Sequence, residues 1–241
     1  MNSNGDRVFA RDRYKEQSKT TWVELRDRYE QQGLKSHSVE TLKKVVTTFK
    51  AVEEILSLDE AVRGVRVGTT EIYSKTVVVC AGAWASEIKG LVPFPETRPR
   101  KGQILALKMP GPLFRHLIRW NHLYFVPRND CELVVGATNE DSGFDRNLTA
   151  AGLGGLLKGA EEISSVVGAF PVVETWTGLR PFIPDGLPAI GPAGIEGLIY
   201  ALGHYRNGIL LTPGTVKLIQ GYLNGGEVPG YAESFSPMRF E

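Results

Sequence analysis

The run Gly203–Pro213, GHYRNGILLTP, sets a histidine, a tyrosine, an arginine and an asparagine between two glycines. An apolar, strand-like run over Leu198–Leu202 precedes it, and an apolar run of helical spacing over Ile209–Leu223 comes after. A tight loop between a strand and a helix leaves the first N–H groups of the helix without internal partners. The helix dipole favours negative charge in front of them. A phosphate suits such a place. So does the pyrimidine edge of a flavin, which gains negative charge on reduction, and the glycines let a flat ring approach the backbone. A plain strand–turn–helix connection with surface His204 and Arg206 has the same pattern, so the run alone leaves all three open.

A second run is WTGLRPFIPDGLPAIG, Trp176–Gly191. Arg180 stands at the end of a strand read over Val172–Thr177. Pro181 restricts it to extended backbone, so it can present its planar fork to a carboxylate. A structural pairing with an Asp or Glu is the alternative. Tyr124, in LYFVPR, carries a phenol that can hydrogen-bond a small polar substrate or sit as a half-buried strand tyrosine. No Ser-His-Asp arrangement, Walker loop or metal cluster stands out, and His37, His116, His122 and His204 have no ligand-like spacing.

Around these runs, periodicity predicts a mixed α/β chain. Trp22, Leu25 and Tyr29 fit one amphipathic helix, and Val39, Leu42 and Val46 a second, after a polar start of about twenty residues without a period. Val52–Leu56 reads as a strand, with turns at Asp59-Glu60 and Gly68-Thr69. Thr76–Ala81 is a continuous β-branched run, as in a strand buried on both faces. Ile104–Leu107, Leu123–Val126 and Leu133–Val135 are further strands, the last two joined by a turn at Asn129-Asp130. Thr149 is a plausible N-cap for a helix through Ile163. Pro184-Asp185-Gly186 is a turn.

The chain has 241 residues, a formal net charge of +1 and two cysteines. A charge so near zero gives no footprint of a nucleic-acid binder or a polybasic membrane segment. No apolar run approaches a membrane span, and the polar N-terminus is no secretory signal. Cys80 and Cys131 lie in apolar runs and read as buried free thiols of a reducing cytoplasm.

Taken together, several runs resemble one family. TVVVCAGAWASEI resembles the strand and turn VVVAAGAWS of the D-amino-acid oxidase superfamily of FAD-dependent amine oxidoreductases. RPRKGQILAL resembles its P-x-(R/K)-G-Q strand. LYFVPRNDCELVVGATNEDSGFD is similar to its Y-x-V-P-R…G-A-T-x-E-D-x-G-F-D hairpin. TWTGLRPFIPDGLPAIGP resembles W-A-G-L-R-P-x-x-P-D-G-x-P-x-I-G, and GHYRNGILLTP is similar to G-H-(F/Y)-R-N-G-I-L-L-A-P of glycine oxidases of the thiamine pathway. The last two are the specific ones. The resemblance is colinear from about Ala51 to Gly225.

The resemblance implies FAD as cofactor and glycine or a similar small amine as substrate. It implies that Arg180 clamps the substrate carboxylate, that Tyr124 hydrogen-bonds it, and that Arg206 lines the substrate pocket. It implies that His204, Tyr205, Arg206, Asn207, Gly208, Ile209 and Leu210 cradle the flavin, that Gly82, Ala83 and Trp84 lie close to it, and that Val52 contacts the adenine side. The implied reaction is hydride transfer from substrate Cα to flavin N5. The imine hydrolyses to glyoxylate and ammonia or passes to thiazole assembly, and oxygen yields peroxide.

The implied architecture is an FAD-binding lobe of residues 51–99 and 176–228 and an antiparallel substrate lobe of residues 100–175. Residues 1–50 form a helical segment and 229–241 a tail. The chain carries no G-x-G-x-x-G, the motif with which family members hold the pyrophosphate. The expectation is therefore an incomplete FAD lobe, weak FAD binding and an unpaired apolar edge on the strand Thr76–Ala81. A homo-oligomer or a separate N-terminal half are the partners this suggests. A sarcosine or D-amino-acid oxidase, marked by a wider pocket around Tyr124 and Asn139, and a non-catalytic interaction module stay open beside the glycine oxidase reading.

Overall fold

The computed structural model describes residues 52–91, 96–128 and 130–240. The two helices read around Trp22 and Val39 lie outside the described residues. The chain divides into two compact units, Met1–Val52 with Val67–Thr70, and Glu53–Arg66 with Glu71–Glu241. The second unit carries every candidate residue except Val52.

Two eleven-residue strands, β5 (Arg98–Lys108) and β9 (Val172–Phe182), pair antiparallel along nearly their whole length. They form one side of a five-stranded sheet completed by β6 (Ile118–Trp120), β7 (Leu123–Pro127) and β8 (Glu132–Gly136), in the order β6-β7-β8-β5-β9. Side chains alternate faces along each strand. Leu105 and Leu107 of β5 therefore share a face with Leu133 and Val135 of β8 and Phe125 of β7. Helix α1 (Ala150–Ile163) lays Leu156 and Ala160 onto that face, and sheet and helix bury one apolar core. The predicted cap is in place: Thr149 Oγ1 accepts from Gly152 N at 3.1 Å.

β9 runs farther than its apolar pattern suggests. It continues through Arg180 and Pro181 to Phe182. A proline lacks the ladder donor, but β9 is an edge strand, where that loss is tolerated. Arg180 is therefore held inside a strand and not at its end.

A second sheet has the order β10-β11-β4. β11 (Leu198–Leu202) is its centre and is almost wholly buried, with β10 (Ala189–Pro192) antiparallel on one side and β4 (Val77–Val79) parallel on the other. Helix α2 (Gly208–Asn224) places Leu218 and Tyr222 against Ile190 of β10. A third sheet pairs β1 (Glu54–Leu58) with β2 (Ala61–Val67), and β3 (Thr70–Tyr73) comes next in sheet order. The turn at Asp59 and Glu60 has φ 50° and 59°, the left-handed pair that a two-residue hairpin requires.

Two expectations need correction. The strand read over Thr76–Ala81 is only Val77–Val79, and of these Val79 alone is fully buried, because β4 has a strand partner on one side only. Cys80 is consequently exposed. Cys131 is half-buried in the β7–β8 turn, at φ 59°, and not in a strand. Arg128 N donates to Glu132 O at 2.8 Å, so the turn spans Arg128–Glu132 and Cys131 takes its left-handed position.

This packing sets two measurable outcomes. Phe125 is fully buried between sheet and helix, so Phe125→Ala should lower unfolding free energy by about 3–5 kcal/mol in a urea titration. His204 lies just after β11, and burial pushes its imidazole below the ordinary 6.5. The unfolded chain then takes up the proton first as pH falls. Stability from neutral His204 is present above about pH 6.5 and is lost below it. His204→Gln should flatten the dependence of Tm on pH between about 6.5 and 5, above the range where most carboxylates titrate.

Candidate functional site

The face of the five-stranded sheet opposite α1 carries the candidate residues. The register sets Arg180 opposite Arg100, Gly178 opposite Gly102, Trp176 opposite Ile104, and Ile104 opposite Gly136, which itself faces Tyr124. Glycines at 102, 136 and 178 thus pave the middle of this face. The absence of side chains there is what gives the polar groups their places. A Cβ on Gly102 would overlap the Arg180 guanidinium, and one on Gly136 would overlap the Tyr124 phenol. A Cβ on Gly178 would meet nothing within 4 Å, so the surface there is open.

Arg180 donates from Nη1 to Thr138 O at 3.1 Å and to Lys101 O at 3.4 Å. No carboxylate among the described residues forms an ion pair with it. Burial, and then the like charge of Arg206, pull its pKa below that of a free guanidinium, although an arginine remains protonated in any protein. Tyr124 and Tyr205 act on the same charge in the opposite sense. The structure therefore gathers Arg180, Tyr124, Tyr205 and Arg206 around one cationic spot.

The loop after β11 supplies Tyr205 and Arg206. Tyr205 sits at φ 49° and its N–H donates to Pro181 O at 2.9 Å. Its ring meets Phe182 edge-on at 5.2 Å, and its hydroxyl donates to Asn139 Oδ1 at 2.9 Å. Arg206 lies over the Tyr205 ring at 5.4 Å and lines a cavity of about 420 Å³ with Ala137, Thr138, Asn139, Gly152 and Gly155. Gly203 precedes them at φ 74°, where a Cβ would strike Ile183. His204 Nε2 lies 2.8 Å from Thr215 Oγ1, which ties the loop to α2.

At the start of α2, Asn207 makes no side-chain cap. Ile209 and Leu210 are 95% and 79% exposed there, the most exposed large apolar residues among those described. Open N–H groups beside bare apolar side chains are what a flat apolar ring with an electron-rich edge would cover. Gly82, Ala83 and Trp84 begin a 3-10 helix, Gly82–Glu87, that packs against β5 and β9. Gly82 has φ 57°, Ala83 is buried, and half-exposed Trp84 stands 5.9 Å from the Phe144 ring. Val52 belongs to the other unit.

Sequence reasoning missed the polar network on the opposite face of β5. Lys101 and Gln103 are buried in the alternation that continues as Leu105 and Leu107. Lys101 Nζ reaches Asp145 Oδ2 at 3.0 Å, Asn147 O at 3.1 Å and Glu140 Oε2 at 3.2 Å. Gln103 Nε2 donates to Glu140 Oε1 at 2.8 Å and Thr149 Oγ1 at 2.9 Å. Thr138 Oγ1 also donates to Glu140. Burial pushes the Glu140 carboxyl up, but bonds from Thr138, Gln103 and Lys101 outweigh it and hold it below the usual range. The backbone N–H of Asn147, and then Lys101, lower Asp145. The available signal is the polar content of the K-G-Q and T-N-E-D-S-G-F-D runs, which periodicity leaves without a role.

Comparison with known proteins gives the family and the fold. Residues 39–220 match the family model described as FAD dependent oxidoreductase, DAO. The chain is 42% identical over 177 residues to the bifunctional protein ThiO/ThiG of Trichormus variabilis, covering 71% of this chain and 26% of that protein. It is 35% identical over 168 residues to the glycine oxidase of Pseudomonas putida, covering 69% and 46%. The fold superposes on the crystal structure of glycine oxidase from Geobacillus kaustophilus with a TM-score of 0.74 at 29% identity, covering 83% of this chain and 57% of that one. The chain thus spans less than two thirds of the length of each of these relatives. By the extent of the family match, this chain belongs to the DAO family of FAD-dependent oxidoreductases.

Proposed function

We propose that the described unit is the substrate side of a FAD-dependent amine oxidase acting on glycine or a similarly small amino acid. The observation that carries this reading is the Arg180 guanidinium. It is half-buried, held by two carbonyls and without an anionic partner among the described residues. A buried cation in that state is unfavourable until an anion arrives, and its remaining N–H groups match a carboxylate bidentately.

The other roles are built on that contact. The Tyr124 phenol, seated over Gly136, donates to the same carboxylate. The glycine floor admits a substrate with almost no side chain. Arg180 and Arg206 together make the local field positive, which disfavours an ammonium and favours the neutral amine whose electron pair oxidation requires. The start of α2 and the Gly82 turn would hold the ring end of FAD, because open N–H groups and bare apolar side chains coincide there. Bound FAD would supply the two-electron acceptor for the substrate Cα–H. Water would then convert the resulting imine to glyoxylate and ammonia. The protein's contribution is orientation and electrostatics. The link to thiamine thiazole synthesis rests on the relative named ThiO/ThiG.

A second reading is favoured by the open surface over Gly178, on the same face as Arg180, where an added Cβ would meet nothing within 4 Å. A secondary amine such as sarcosine, or a small D-amino acid, has room there.

The test is to load the purified protein with FAD and add glycine without oxygen. Bleaching of the flavin bands at lower concentration with glycine than with sarcosine supports the first reading, and the reverse order supports the second. A folded, FAD-loaded protein that no small amine bleaches contradicts both. Arg180→Ala should raise the concentration for half-bleaching by about ten- to a hundredfold, as expected for a lost charge-assisted bond. Gly102→Ala should act in the same direction with little change in Tm, because its new methyl displaces only the end of the Arg180 side chain.

A further inference from the structure

The buried lysine of β5 touches nothing on the substrate face. Its side chain is 2% exposed and lies on the α1 side of the sheet. If that place required only packing, an apolar side chain would suit it better, since a buried ion pair is weak support for stability. The three oxygens around Nζ have something in common. All belong to the segment after β8, at Glu140, Asp145 and Asn147.

That segment is laced to β5 immediately beneath Arg180. Lys101 N donates to Glu140 O and Glu140 N to Lys101 O, both at 2.9 Å. Thr138 N donates to Gln103 O at 3.2 Å, and Gln103 N donates to Thr138 Oγ1 at 2.8 Å. The two carbonyls that receive Arg180 Nη1 are those of Thr138 and Lys101, one from each side of this seam. Their spacing and direction are set by how tightly the seam is closed, and the Lys101 side chain closes it from behind.

We propose that Lys101 is a positioning residue: by binding Glu140, Asp145 and the Asn147 carbonyl on one face of the sheet, it aligns the Thr138 and Lys101 carbonyls that aim the Arg180 guanidinium on the other. The inference rests on the reading of Arg180 as the carboxylate anchor only for its consequence in binding. The alignment itself is a property of the free protein.

Three variants of the full chain test it: Lys101→Met, Lys101→Arg, and Leu133→Ala as a core change away from the seam. The first readout is side-chain NMR of isotope-labelled arginine, with the Arg180 signals assigned by their loss in Arg180→Lys. In the wild type, a guanidinium held at Nη1 should give two separate Nη signals. Lys101→Met should merge them through free rotation, Lys101→Arg should restore the separation, and Leu133→Ala should lower Tm yet leave them separate. The second readout is calorimetric titration with acetate, where Lys101→Met should weaken binding about tenfold and Leu133→Ala should leave it unchanged. Should Lys101→Met not fold, Asp145→Asn removes one Nζ partner and should give the same changes in smaller degree. Separate Nη signals and wild-type acetate affinity in folded Lys101→Met would overturn the proposal, as would equal loss in Leu133→Ala. Separate signals in a wild type that binds no acetate would overturn the anchor reading and leave the alignment standing.

Discussion

An arginine cation fixed by two backbone carbonyls and by no carboxylate is the constraint around which the described residues are arranged. Arg180 cannot shed its charge, and the described protein offers it no counterion. Everything near it serves either to hold the guanidinium still or to keep the space in front of it clear. β5 and β9 supply long, regular pairing, so that the side-chain alternation does not slip. Glycines at 102, 136 and 178 remove the side chains that this alternation would otherwise place in the way.

β5 consequently has two different faces. One carries Arg100, Gly102 and Ile104, with the Arg180 guanidinium lying over Gly102. The other carries Lys101, Gln103, Leu105 and Leu107 toward α1 and the segment after β8. Its first half buries a satisfied polar network and its second half buries the apolar core. The network is costly to desolvate, but nearly every polar atom in it has a partner, which is the condition under which such a network makes a unique arrangement. A one-residue register shift would put Lys101 on the face of Arg180 and Arg100 in the core.

Much of this is legible in the sequence. The strand–loop–helix at Gly203–Pro213 and the capped helix after Thr149 emerge from turn chemistry and periodicity, and the strands that put Arg180 and Tyr124 on one sheet face are read in part. Three things do not. β9 extends through Pro181 because edge position forgives a missing donor, and edge position is a property of the sheet, not of the run. Lys101 and Gln103 escape notice because charge and amide in a strand read as solvent-facing, when the partners that allow burial lie some forty residues later. Cys131 reads as a strand residue because its neighbours are apolar, whereas the turn geometry claims it. In each case the deciding information is a long-range neighbour.

The proposed substrate and cofactor roles depend on where the Arg180 anchor stands relative to the flavin ring. It is tested most directly by the absorption spectrum of the FAD-loaded protein during titration with propionate, a carboxylate with no amine to oxidise. A carboxylate held by Arg180 beside the ring should give a saturable shift of the flavin bands that is lost in Arg180→Met. Propionate binding without any change in those bands, or a shift that persists unchanged in Arg180→Met, would contradict that placement.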